Sequence, residues 1–214
     1  MITQETFWNA YSISFVEKFV QYIINSKYRQ SVQLKGWLKQ QVNDAINNPS
    51  AELADYHAAI PVKEEDSSEE KMMTILRYVR YNFQYMGDDM TEYWQTAEES
   101  ALSNTGDCED GAILMYVLGR MSGIPANRML LFTGWVQSNP YAEKGGHCWL
   151  GFRNNYYGVI SFMDWCYYPS NQDIEHRDRY YISDKKIRNF NSTSSKYKSM
   201  WFFWNEKFSG TKMM

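Results

Sequence analysis

Apolar residues recur every three or four positions through the first half of the chain and every second position beyond it. Trp8, Tyr11, Phe15, Phe19, Tyr22 and Ile23 mark an amphipathic helix over 6–28. A second helix is expected over 31–47, ending at Asn47-Asn48-Pro49. Residues 49–68 read as a connector, broken at Ile60-Pro61, with Glu64-Glu65-Asp66 as solvated surface. Ser67 and Glu70 form a capping-box pair before a helix that buries Met72, Ile75, Leu76, Val79 and Phe83. After a loop at Gly87-Asp88-Asp89, Thr96 and Glu99 form a second box and open a short helix. The next helix starts at Cys108 and shows one face at Ile113, Leu114, Val117, Leu118 and Met121. Gly123 stops it and Pro125 forbids continuation.

The period then changes. Residues 128–136 read as a strand, the polar segment 138–146 as a loop, and 147–152 as a second strand. Asn154-Asn155 signals a hairpin turn, and 156–164 reads as the return strand. Helices followed by an antiparallel meander predict an α+β fold, a cysteine-bearing helix packed on an antiparallel sheet. Tyr180–Ile182 could add a strand. Asn191–Ser195 reads as a linker, and Met200–Trp204 as an apolar patch that docks on its own domain or on a partner. The expected organisation is an N-terminal helical region (1–66), a catalytic domain (67–184) and a C-terminal aromatic tail (185–214).

Composition narrows the possibilities. Net charge is −3 over 214 residues, so nothing global recruits nucleic acid or an anionic membrane, and no stretch is long and apolar enough to span a bilayer. Glu5, Glu17 and Lys18 interrupt any signal-peptide core, which places the expected site of action in the cytoplasm. Cys108, Cys148 and Cys166 show no paired spacing, arguing against a disulfide framework. A zinc site from Cys108, His147 and Cys148 or Cys166 matches no structural zinc spacing.

Thiol chemistry needs a sulfur that ionises, an imidazole that takes and returns the proton, and a group that orients the imidazole. Cys108 sits at a helix N-terminus, whose dipole favours thiolate. His147 begins one strand and Asp164 ends the next, so adjacent antiparallel strands can set them side by side. The period of two turns Cys148 away from His147's face, as core filler, and Trp165 away from Asp164's. Each residue alone also reads as structural. His57, in the connector, and His176, in a charged run, are weaker candidates. Asp107, Glu109 and Asp110 oppose ionisation of the thiol. Two arrangements stay open: Asp107 and Asp110 cap the helix while Glu109 turns to solvent, or calcium sits on Asp107 and Asp110 with oxygens from Asp88 or Asp89.

Gly106-Asp107-Cys108-Glu109-Asp110-Gly111-Ala112, Gly123-Ile124-Pro125-Ala126-Asn127-Arg128, Gly146-His147-Cys148-Trp149 and Asp164, in that order, resemble the transglutaminase-like superfamily. Tyr85-Met86-Gly87-Asp88-Asp89, Trp94-Gln95-Thr96 and Glu99 narrow the resemblance to its bacterial cysteine proteinases. It covers 70–165. It implies a papain-like core with Cys108 as nucleophile, His147 as base and acid, and Asp164 as orienting carboxylate. The oxyanion hole would use the Cys108 N–H with Tyr85 or Trp94. The implied function is a cysteine hydrolase, a peptidase or amidase acting on protein or peptide substrates through a thioester. A transglutaminase is the second reading, its thioester shielded by Trp94, Trp135 and Trp149. A partner-binding module is the third, docking through the N-terminal helix or 200–204; transglutaminase-like proteins of tailed phages are similar in size, and a phage-encoded chain would be virion-associated. Relatives that cut adhesins are periplasmic and use calcium at the matching Asp positions, so calcium is the cofactor to test for. Gly111, where the proteinases often carry an aromatic residue, and the lack of an export signal depart from their pattern.

Overall fold

The computed structural model describes residues 28–87, 93–154, 159–167, 181–183, 196–207 and 209–211. The helix expected over 6–28 lies, apart from Tyr28, outside them, as do Asp88, Asp89, His176 and the 191–195 linker. Helix α1 (Tyr28–Asn47) ends before Asn48-Pro49, where the residue preceding a proline is driven out of the helical region. Ser50 then caps α2 (Ala51–Ala58), accepting the Leu53 N–H at 3.2 Å. This helix replaces part of the expected connector. With Leu53 as its one buried residue, it carries too little apolar periodicity to be read from sequence. Helix α3 (Ser68–Asn82) opens on the Ser67–Glu70 box, and α4 (Ala97–Ser103) on the Thr96–Glu99 box, with both reciprocal bonds formed in each. Met72, Ile75, Leu76, Val79 and Phe83 are buried as the α3 pattern requires. Between α3 and α4, β1 (Gln84–Tyr85) pairs in parallel with β2 (Thr105–Gly106), which leads into the next helix. That pairing has no pattern in so short a sequence.

Helix α5 (Cys108–Met121) is the central element, buried continuously from Glu109 to Gly119. A helix buried on all sides needs cover on all sides. Helices α1, α3 and α4 and the sheet supply it. Gly123, at φ 84°, ends α5 in the left-handed region that glycine occupies without strain. A short 3₁₀ turn (Ala126–Arg128) leads into β3 (Met129–Val136), β4 (Gly145–Asn154), β5 (Val159–Met163), β6 (Tyr181–Ser183), β7 (Tyr197–Trp204) and β8 (Ser209–Thr211). Their order is β6-β5-β4-β3-β7-β8, every pair antiparallel. Leu131, Cys148, Leu150, Phe152 and Phe202 join the core around α5. Leu130, Phe132, Trp149, Phe162, Tyr197 and Phe203 form a second apolar layer on the other face.

The apolar patch at 200–204 is thus not a surface for a partner. It is the body of β7, hydrogen-bonded between β3 and β8, with Trp201 6 % and Trp204 0 % exposed. The described part of 185–214, expected as a tail, contributes two strands to the sheet itself. Strand β7 pairs with β3 through two register shifts: Thr133 and Gly134 oppose Phe202 and Met200, then Trp135 and Val136 oppose Ser199 and Tyr197. Each shift leaves one extra residue, Trp201 and Lys198, in a bulge, and bulges re-aim side chains. Two of them turn Trp201 to the α5 side and return Tyr197 to the outer layer.

Gly111 has a packing reason. A Cβ there would lie 2.3 Å from the Trp165 indole, which covers the first turn of α5 and donates from Nε1 to the Cys108 carbonyl at 3.2 Å. Trp165 fills the space beside Gly111. Alanine in a helix is favoured over glycine by about 1 kcal/mol, but forcing a methyl group into a filled core costs about 1–3 kcal/mol. Gly111→Ala is therefore expected to lower stability, read as a lower urea midpoint; an unchanged or higher midpoint would contradict this packing.

Candidate active site

Three elements converge at the N-terminus of α5. Asp107 precedes the helix in extended conformation and Cys108 is its first residue. Asp110 ties down the approach: one carboxylate oxygen accepts the Asp107 N–H at 3.1 Å and the other the Gln95 N–H at 2.8 Å. Gly106 allows this, since a Cβ there would lie 2.6 Å from the Asp110 carboxylate. The Cys108 sulfur accepts the Cys148 N–H at 3.4 Å and donates to Glu109 Oε2 at 3.0 Å.

Strand β4 brings His147 to the same place. Cys108 and His147 line one cavity of about 150 Å³ together with Tyr85, Trp94, Asp107, Glu109, Thr133, Gly146, Cys148 and Trp201. His147 Nε2 lies 2.6 Å from Asp164 Oδ2, just past the end of β5. Tyr197 donates its hydroxyl to the same oxygen at 2.7 Å. The backbone N–H groups of Cys166 and Tyr167 donate to Oδ1, each at 3.2 Å. The imidazole lies between aromatic rings, Trp149 at 5.9 Å and Tyr167 at 5.1 Å between centroids. Thus Cys108 and His147 line one cavity and His147 is hydrogen-bonded to Asp164, whereas His57 lies elsewhere, in the last turn of α2, with Nε2 2.8 Å from Ser122 Oγ.

Burial pushes the Asp164 carboxyl up, but the His147 charge and the bonds from His147, Tyr197 and the Tyr167 N–H more than offset it, holding the group below the usual carboxylate range. An ionised carboxylate only accepts, so Nε2 carries a proton and Nδ1 is the basic nitrogen of the neutral ring. The Cys108 thiol is pushed well above its ordinary range, first by burial, then by the Asp107 carboxylate and the Cys166 and Cys148 thiols, against the Glu109 hydrogen bond. The thiol needs a base to become a nucleophile.

Several expectations change. Glu109 does not turn to solvent; it is 2 % exposed and bonded to the cysteine sulfur. Of the pair expected for calcium, Asp110 has both oxygens engaged by backbone donors. The carboxylate that gathers with Asp107 is Glu109, their oxygens and the Cys108 sulfur lying within 4.8 Å of one another. Cys148 is core filler, as the alternation required, but its N–H reaches the sulfur. Trp149 belongs to the outer layer and Trp135 packs edge-on against Trp201. The tryptophans that wall the cavity are Trp94 and Trp201. Tyr197, Tyr167 and Trp201 carried no signal as site residues, because a bulged strand far along the chain and a turn deliver them.

A cysteine at the mouth of a buried helix and a histidine–carboxylate pair on the antiparallel sheet packed against that helix lie in one α+β fold. The family model described as the transglutaminase-like superfamily matches residues 56–167, just over half the chain, and the chain belongs to that superfamily. Among solved structures, calcium-bound LapG of Legionella pneumophila superposes with a TM-score of 0.52 at 12% identity, covering 81% of this chain and 87% of LapG. EGTA-treated LapG gives 0.48 at 15% identity, covering 94% and 87%. A Cytophaga hutchinsonii protein, solved under a provisional cysteine-protease assignment, gives 0.35 at 14% identity, covering 57% and 44%. At these identities the likeness is one of fold. No curated protein matches the chain.

Because the Asp164 carboxyl is depressed, its stabilising effect is fully present above the ordinary value near 3.8 and is lost as pH falls through its lower folded-state value. The urea-midpoint difference between wild type and Asp164→Asn is expected to shrink as pH falls through that lower value. A difference that stays constant down to the acid transition would show that Asp164 is not ionised in the fold.

Proposed function

We propose that the protein is a cysteine hydrolase of amide bonds in proteins or peptides. The observation that carries this reading is the cavity that Cys108 and His147 both line, with His147 Nε2 held 2.6 Å from the buried Asp164 carboxylate. His147 Nδ1 takes the thiol proton, the sulfur attacks the carbonyl carbon, and the negative oxygen that forms is met by backbone N–H groups at the start of α5, with Tyr85 and Trp94 as further donors within the cavity. His147 then returns the proton to the leaving amine. The thioester is released by water, which His147 activates in turn. Trp94 and Trp201 on the cavity wall favour a second reading, in which they exclude water and a primary amine takes the acyl group.

The test is cleavage of a peptide library prepared from whole-cell protein, read as new amino termini by mass spectrometry, with a lysine analogue present to report amine transfer. Wild type is expected to cleave, with Cys108→Ala inactive and His147→Ala reduced by about 100-fold or more. Cleavage that survives in Cys108→Ala would sink the reading, and amine incorporation without cleavage would move it to the transglutaminase.

Calcium fits one part of this site. Asp107 and Glu109 are buried carboxylates whose oxygens converge beside the sulfur, hard donors of the kind that cation takes. We propose that these two would hold it, and its charge would offset the carboxylates that disfavour ionisation of Cys108. Calcium at millimolar level is expected to raise the melting temperature and EGTA to reverse the rise, with Glu109→Gln blunting the response. A melting temperature indifferent to both would remove calcium from the account.

A further inference from the structure

Asp164 is 0 % exposed, and its Oδ2 serves two partners, His147 from β4 and the Tyr197 hydroxyl from β7. Tyr197 lies beyond the stretch that the family model matches and is itself 1 % exposed. Its ring is fixed against Phe162 at 4.8 Å, Trp149 at 5.0 Å and Tyr167 at 5.8 Å, so the hydroxyl has one direction to point. The bulge at Lys198 keeps this residue on the outer layer, together with Trp149, which stacks on the His147 ring. Strand β7 therefore contributes a polar group to the centre of the site, from a stretch whose sequence is otherwise that of a packed strand. We infer that Tyr197 is a positioning residue, which fixes the Asp164 carboxylate in the orientation that holds His147 Nε2–H and leaves Nδ1 toward the chemistry. The inference rests on the hydrolase reading of the site.

The physical reason is the double load on one oxygen. A carboxylate with a single side-chain donor can rotate about its Cβ–Cγ bond and carry the imidazole with it. Two donors on Oδ2 and two backbone N–H groups on Oδ1 leave it one arrangement. The hydroxyl also draws part of the carboxylate charge away from the imidazole. Other titratable groups near Asp164 are the Cys166 thiol, 3.8 Å from Oδ1, and the Cys148 thiol of β4, both pushed up by burial. Without the Tyr197 donor more of the charge faces Nε2–H, which favours the imidazolium, so the neutral base is available only from a higher pH upward.

The experiment is acylation of the full chain by p-nitrophenyl acetate, followed as p-nitrophenol release against pH, for wild type, Tyr197→Phe, Asp164→Asn, the double variant and His147→Ala. Tyr197→Phe is expected to lower the plateau rate by about tenfold, as for loss of a bond to a charged group. The acid limb should move up by about half a pH unit. The loss should vanish on the Asp164→Asn background, because the hydroxyl then has no carboxylate to hold. The variant Tyr197→meta-fluorotyrosine, which keeps the ring and strengthens the donor, is expected to move the limb the opposite way, and it decides the matter if Tyr197→Phe fails to fold. A plateau and limb unchanged in both Tyr197 variants while His147→Ala is slow would overturn the inference and leave the hydrolase reading standing. Wild-type acylation in His147→Ala would remove both. A fall in stability with no movement of the limb would make Tyr197 a packing residue only and overturn the inference.

Discussion

The structure depends on keeping one carboxylate charged where no water reaches it. A buried charge is stable only with its hydrogen bonds supplied, and Asp164 draws donors from a histidine on β4, a tyrosine on β7 and two backbone groups of its own turn. Meeting that requirement sets much of the architecture. Strands β4 and β5 must be neighbours in the observed register, and β7 must lie in the same sheet. The outer layer must be aromatic enough to hold the rings around the imidazole.

The opposite face answers a different demand. Helix α5 is buried along nearly its whole length, so its first turn, with Cys108, cannot drift. Asp110 pins the entry through the Asp107 and Gln95 N–H groups, and Trp165 lies over Gly111 while bonding the Cys108 carbonyl. The residue that follows Asp164 thus holds the cysteine helix, while Asp164 itself holds the histidine. One turn after β5 couples the two halves of the site, which is why the cavity between them can stay as small as about 150 Å³.

Much of this was legible in the chain. Both Ser/Thr–Glu boxes, the α5 stripe, the stop at Gly123 and the strand pair bearing His147 and Asp164 follow from capping chemistry and periodicity, and four ordered motifs carried the family. What was not legible has physical causes. Helix α2 is too short to show a period. Strand β7 reads as a featureless aromatic run because it is buried on both faces, and its two bulges break the alternation that would reveal which residues point where. Glu109 looked like a surface acid because charged residues are rarely buried; its partner is the neighbouring cysteine sulfur, a contact no spacing announces. Tyr197 is invisible for the same reason as β7.

The central claim is that one of three cysteines is set apart by its surroundings. All three are free, and all are pushed up as thiols by burial. What separates Cys108 is its place at the N-terminus of a buried helix, on the wall of the cavity that His147 also lines; Cys166, whose sulfur lies within 4.8 Å of a His147 ring nitrogen and an Asp164 oxygen, is the competing thiol. The direct measurement is acid-quenched peptide mapping of the native protein after brief exposure to a substoichiometric activated peptide ester. The account predicts a single acyl group carried as a thioester on Cys108. An acyl group distributed over Cys148 and Cys166, or found on Cys166 with Cys108 unmodified, would contradict it.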